Sequence, residues 1–340
     1  MLNPPVAPVE PVVAQLHKAG IGGVFVRIDN FLTDPAVERN VREFRRLLQE
    51  AGIQFFITVP VFLDPDRLAK EPELAGYGSM GNPSKSTEAT WLQMICPARR
   101  EYRKQRTAWF VAMVRELRPD GLSLDFIRYF IYWEGVAPDR TGDSIEKFCF
   151  CDYCLRLMTA ELGFGFPSRA GTREAKAAWV LASRREEWTA WKCEKIASMV
   201  RESAAAAKAV QPNLKISLHG VPWMEREYDG GLRVVVGQDL QKLAPYVDVF
   251  GPMCYFQMLH RSPEWVHDVV QDYYRLTGKP PLPSVQASGQ RLSAESADLL
   301  RRHLAAGFAS PSAGVNIYQW NGIRNDAAKL DMIRETASIP

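Results

Sequence analysis

A strand-like run followed by a helical stretch recurs along this chain, and that alternation limits its fold more than any other feature. Runs rich in β-branched and aromatic residues stand at 24–29, 54–59, 122–126, 215–219, 247–253, 283–287 and 315–320. Between the first two, Val37, Val41, Phe44, Leu47 and Leu48 fall at helical spacing, and Ala51-Gly52 supplies a C-terminal stop. Residues 99–117 and 174–210 predict two further helices. Strands alternating with helices imply a mostly parallel sheet, and seven such runs favour one closed on itself. The chain therefore reads as an α/β fold, a (β/α)8 TIM-type barrel forming one domain over its 340 residues. The eighth strand, first in order, falls in the proline-rich stretch 1–11 and is expected to be irregular or missing. Two long insertions, about 60–97 and 128–171, follow strand ends.

A net charge of +3 with 24% charged residues gives no basis for nucleic-acid binding. No run of about 18 apolar residues predicts a membrane span. Met1-Leu2-Asn3-Pro4-Pro5 lacks the basic and apolar regions of a signal peptide. The six cysteines include three crowded into 149–154, unlike the spread of a disulfide framework, so a reduced cytoplasmic setting is expected.

Strand residues alternate between the barrel interior and the helix layer. With Leu122, Leu124 and Phe126 facing the helices, Ser123 and Asp125 point inward, and Asp125 lies nearest the C-terminal mouth. The same alternation places Arg27 and Asp29, Ser217 and His219, Ser284 and Gln286, and Asn316, Tyr318 and Trp320 inward. Any one of Arg27, Asp29 and Asp125 is as readily a structural ion-pair partner. Polar groups converging on one mouth from several strands point instead to a ligand site, which barrels of this kind build at that face. Tyr129, Tyr132, Trp133, Trp223, Tyr255 and Trp320 all follow or end strands. Aromatic faces beside carboxylates, amides and arginine suit a carbohydrate, which presents C–H faces and many hydroxyls.

The stretch Asp120-Gly121-Leu122-Ser123-Leu124-Asp125-Phe126-Ile127-Arg128-Tyr129 resembles the fourth-strand motif of glycoside-hydrolase-like barrels, several first named as domains of unknown function. Ile95-Cys96-Pro97, Gly237-Gln238-Asp239-Leu240 and the segment from Tyr246 through Met253 to Tyr255 fit the same pattern, which covers roughly 24–320. A more distant similarity is to family 18 chitinases and poly-N-acetylglucosamine hydrolases, matched at Asp120-Gly121, Asp125, Met253-Cys254-Tyr255 and Trp320. Ser123 replaces their middle aspartate, and Ile127 stands where their catalytic glutamate belongs, so a chitinase mechanism is not expected.

Glycoside hydrolysis usually requires two carboxyl groups. Asp125 is the expected nucleophile or transition-state stabiliser, and the resemblance implies a glycosidase acting on a polysaccharide or oligosaccharide. Candidates for the acid are Glu134, Asp29 and Glu225, with Glu134 first because Tyr132 and Trp133 would desolvate it and raise its pKa. A solvated loop glutamate is the plain alternative. Arg128, Tyr129, His219, Trp223, Tyr255, Gln286, Asn316 and Trp320 are the candidate substrate contacts, Trp320 as the floor by similarity to the chitinase barrels. No cofactor is required for the chemistry.

Cys149, Cys151 and Cys154 have C-x-C-x2-C spacing, which suits a tetrahedral zinc, with free thiols as the alternative. Family 42 β-galactosidases carry a similar cluster around a structural zinc with a fourth, earlier cysteine, and by that resemblance Cys96 is the matching ligand. Two rivals remain. One is a carbohydrate-binding barrel without activity, which Ile127 favours. The other is a metal-dependent hydrolase, against which stands His219 as the single histidine of five at a strand end.

Overall fold

The structure, a computed structural model, describes residues 8–28, 32–287 and 294–337. Its centre is a seven-stranded parallel sheet in which every strand pairs with its sequence neighbour: β1 (Gly23–Arg27), β2 (Gln54–Pro60), β3 (Gly121–Asp125), β4 (Lys215–Gly220), β5 (Val249–Cys254), β6 (Ser284–Gln286) and β7 (Asn316–Tyr318). All seven strand-like runs of the sequence are strands. The helices are α1 (Glu10–Lys18), α2 (Pro35–Glu50), α3 (Pro65–Lys70), α4 (Arg100–Leu117), α5 (Asp152–Leu162), α6 (Arg173–Ser183), α7 (Arg185–Val210), α8 (Leu240–Leu243), α9 (Trp265–Thr277), α10 (Ala294–Phe308) and α11 (Ala327–Ala337).

Local chemistry explains the element ends. Asp34 caps α2 by accepting from the N–H groups of Ala36 and Val37, and Gly52 at φ +70 releases the chain after it. Asp120 accepts from Phe55 N–H at 2.8 Å, and Asp248 accepts from Ile216 N–H at 2.8 Å, so each carboxylate ties one strand's start to the next. Gly121 is required beside Asp120 because a Cβ there would meet the Phe56 ring at 2.2 Å. The expected single helix 174–210 is two, since Arg184 leaves helical geometry at φ −143. Its guanidinium then covers Phe164, 4.8 Å from the ring centroid, in a small cluster with Phe166 and Trp179.

The sheet ends at β1 and β7, and among the described residues no strand joins them. Of the stretch expected to supply the eighth strand, 1–7 lie outside the described residues, and α1 begins at Glu10. A cavity of about 660 Å³ lies between these two edges, walled by apolar side chains that include Leu16, Phe25, Phe56, Leu282 and Trp320. No helix of the described residues is long and apolar enough to cross a membrane.

Both insertions are built, and they are built on each other. Gly78 bridges Phe148 in antiparallel sense, Phe150 N–H donates to Tyr77 O at 2.6 Å, and Ser79 N–H donates to Lys147 O at 2.9 Å. Phe150 stacks on Trp188 of α7 at 5.0 Å and 10°. The two insertions thus form one wall after the C-terminal ends of β2 and β3.

Candidate active site

Asp125 is the last residue of β3 and pairs in register with Pro60 of β2. The alternation expected to turn Phe126 toward the helices stops there, because Phe126 adopts φ +49. Its ring enters the mouth instead, edge-on to Trp91 at 6.0 Å and 5.4 Å from the Arg128 guanidinium carbon. A non-glycine residue in the left-handed region costs about 1–3 kcal/mol, and such outliers cluster at functional sites.

Asp125, 8% exposed, acts electrostatically on Glu134, Arg128, His219, Tyr255 and Tyr318, which arrive from four different strand ends. Glu134 lies in the short helical turn Trp133–Gly135, with its Oε2 enclosed and without a partner among the described residues. Burial pushes its carboxyl above the ordinary glutamate value, Arg128 opposes the shift, and Asp125 adds to it. Burial also holds the phenols of Tyr255 and Tyr318 up, so both remain neutral O–H donors beside the carboxylates. The Tyr255 ring sits between Trp133 at 6.0 Å and Tyr318 at 4.9 Å.

Arg128 is fully buried, and its guanidinium does not hydrogen-bond Asp125. It donates to the carbonyls of Ile131 at 2.8 Å and Tyr129 at 3.3 Å, holding the loop that carries Glu134. His219 faces the Phe25 ring at 5.8 Å; burial lowers its pKa, so the ring is neutral. Both its nitrogens, with Thr58 Oγ1, Ser123 Oγ and Gln286 Oε1, are buried without a partner among the described residues. Buried polar atoms in that state are the kind that serve a ligand or ordered water.

Other residues singled out in the sequence lie elsewhere. Asp29 lies outside the described residues. Glu225 pairs with Arg275 on the surface at 2.6 Å, both about half exposed and away from Asp125. Trp223 is 2% exposed and packed on Tyr228 at 4.4 Å, and Tyr129 is enclosed over the Lys192 ammonium at 4.4 Å. Asn316 donates to Ser284 Oγ at 2.9 Å low on the sheet, and the buried Trp320 walls the cavity between β1 and β7. Ile127 is fully buried.

Three residues outside the sequence candidates matter here. Gln238 is buried, accepts from Val221 N–H at 3.1 Å and donates to Ile127 O at 3.3 Å and His219 O at 3.4 Å, which fastens the ends of β3 and β4 together. Tyr318 faces both carboxylates, as its inward position on β7 allowed. Trp91, 51% exposed beside Phe126, sits in a Pro-, Gly- and Ser-rich loop with no periodic signal to reveal it.

Behind the mouth, Cys96, Cys149, Cys151 and Cys154 converge, all four buried and their sulfurs all within 4.8 Å of one another. Cys151 and Cys96 are 3.8 Å apart, close to the edge of about 3.8 Å that a zinc–sulfur bond of about 2.3 Å gives a tetrahedron. Cys96 and Cys154 are 3.2 Å apart, too far for a disulfide. The donor set and its burial fit a four-thiolate zinc, with Cys96 and Cys154 closer together than a tetrahedral edge. Cys96 closes the first insertion and the other three lie midway along the second, so a metal there would pin the two together.

No protein-family model matches the sequence, and no curated protein matches it either. The fold is similar to known structures. The PgaB (BpsB) glycoside hydrolase domain from Bordetella bronchiseptica superimposes with a TM-score of 0.68 at 14% identity, over 98% of this chain and 93% of that one. A β-galactosidase from the Antarctic haloarchaeon Halorubrum lacusprofundi gives 0.66 at 13% identity, and this chain spans 58% of its length. A chitinase from Chromobacterium violaceum gives 0.54 at 12% identity over 98% of its chain. At such identities the likeness is one of architecture: a seven-stranded parallel α/β sheet laid out as in those glycoside-hydrolase structures.

Proposed function

We propose that the protein is a glycoside hydrolase acting on a polysaccharide or oligosaccharide, with Asp125 as nucleophile or transition-state stabiliser and Glu134 as the acid/base. One observation carries this reading: Glu134, its Oε2 enclosed and its pKa raised by burial, shares a mouth and an electrostatic field with Asp125. A carboxyl raised by burial suits the acid of such a pair. Glu134 would protonate the leaving oxygen while Asp125 meets the positive charge that grows on the sugar ring. Tyr255 and Tyr318 would donate to the sugar or to Asp125, and Arg128 would hold the Glu134 loop in place. Trp91 and Phe126 would give the sugar an apolar face. The structural neighbours named above support carbohydrate as the substrate class, and Glu134 answers for the acid that Ile127 removes.

Zinc would be held by Cys96, Cys149, Cys151 and Cys154 and would fix the walls without taking part in bond cleavage.

The test compares wild type and Glu134→Gln on aryl glycosides with good and poor leaving groups. Loss of a general acid costs about 10²–10⁴-fold where the leaving group needs a proton and little where it does not. Equal loss on both substrates removes Glu134 from that role. Binding of oligosaccharides by a wild type that cleaves none of them would instead mark an inactive binding barrel.

A further inference from the structure

A second concavity lies between the two insertions, with a volume of about 440 Å³, inside the ~300–1,000 Å³ range of small-ligand sites. Met80, Lys85 and Glu88 of the first insertion face Phe130, Tyr132 and Arg140 of the second across it. Its floor, 130–132, runs directly into the turn that carries Glu134. A Cβ built on Gly135 would meet the Tyr132 ring at 2.9 Å and Glu88 Oε2 at 3.5 Å, so the two walls meet beside the proposed acid.

The lining has the character of a sugar subsite. Phe130 and Tyr132 are half-buried, and Met80 is 63% exposed at the lip, which supplies apolar surface for C–H faces. The charged lining residues are two cations, Lys85 and Arg140, and two carboxylates, Glu88 and Glu146. Glu146 accepts from Met80 N–H and Asn82 Nδ2, each at 2.9 Å, and Arg140 donates to Ser144 Oγ at 3.1 Å and Ser144 O at 2.7 Å. The signs balance, so neither a polyanion nor a polycation is favoured. The walls are held by the Gly78–Phe148 bridge and the Ser79–Lys147 hydrogen bond, so the groove is formed before any ligand enters.

We infer that this groove is a distal subsite for an uncharged glycan chain on the leaving-group side of Glu134, so that the preferred substrate is an oligomer or polymer of neutral sugars rather than a single terminal sugar conjugate. The inference rests on Glu134 as the acid: a groove adjoining the acid receives the part of the chain that departs. Binding energy gained there, away from the reacting bond, raises turnover of long substrates.

The test uses the full chain, with Thr87→Trp to fill the groove and Met80→Ser/Lys85→Ala to strip its rim. Substrates are cello-, manno-, galacto- and chito-oligosaccharides of increasing length, alongside aryl monoglycosides that place no sugar in the groove. Wild-type kcat/KM should rise at least about tenfold as sugars are added on the leaving side, and both variants should lose that rise while keeping the aryl rate within about twofold. A wild type indifferent to chain length, or variants that keep the increment, overturns the subsite. If wild type cleaves no glycan, the catalytic reading fails by itself, and the groove is judged by titrating the same oligosaccharides into isotope-labelled protein. Amide shifts at 80–88 and 130–146 that Thr87→Trp abolishes support the subsite. Absence of such shifts overturns it.

Discussion

The backbone N–H of Phe126 donates to Oδ1 of Asp125 at 2.7 Å, across a turn in which Phe126 stands at φ +49. One residue therefore ends the strand, fixes the carboxylate and swings an aromatic ring into the mouth. The strain of that turn is offset by the buried packing around it, since Ile127, Arg128 and Tyr129 follow immediately as enclosed side chains.

Trp91 leans edge-on against Phe126 and leaves half of its surface to solvent. Trp91→Ala should change stability by no more than about 0.5 kcal/mol, as for an exposed site. It should weaken oligosaccharide binding about tenfold, or about 1.4 kcal/mol, if the indole is a sugar platform. Calorimetric titration into the inactive Asp125→Asn background measures this. Unchanged affinity would show that no sugar stacks there.

The raised pKa of Glu134 predicts two pH effects. The acid works protonated, so kcat/KM should fall on an alkaline limb lying above the ordinary value of 4.5, and Glu134→Gln should lack that limb on an activated substrate. For stability, the folded pKa lies above the unfolded one, and ionisation penalises the fold. Wild type should therefore lose stability relative to Glu134→Gln as pH rises from 4.5 through the raised value. Urea unfolding of both proteins across that window gives the sign directly, and a difference independent of pH contradicts the assignment.

The four-cysteine cluster predicts about one zinc per chain in protein prepared without chelators. Cys154→Ser should release the metal and lower Tm by about 3 °C or more, because the two insertions lose their common anchor. Elemental analysis beside thermal melts tests both claims. Metal content near zero in the wild type rejects the site.

The strands were legible because β-branched runs bounded by turn residues are local signals, and all seven appear where those runs lie. Asp125 was legible for the same reason, as the polar residue at the end of an apolar strand. The direction of individual aromatics was not. Trp223 and Tyr129 follow strand ends as a platform would, yet Tyr228, five residues on, covers the first and Lys192, remote in sequence, covers the second. Trp91 is the converse, exposed beside the carboxylate from a loop whose composition predicts only irregularity. Gln238 reaches back to Ile127 and His219, a contact that no spacing within the sequence reveals. The union of Cys96 with the later three came from family resemblance, since 53 residues separate it from Cys149.

The most direct measurement is release of reducing ends from a panel of neutral polysaccharides by wild type and Asp125→Asn, with Tm recorded for both. The substitution keeps the shape of the side chain and its acceptor oxygen for Phe126 N–H but removes the charge. The account predicts cleavage of at least one polysaccharide by wild type, loss of about 10³-fold or more in the variant, and little change in Tm. Full activity in Asp125→Asn would contradict it.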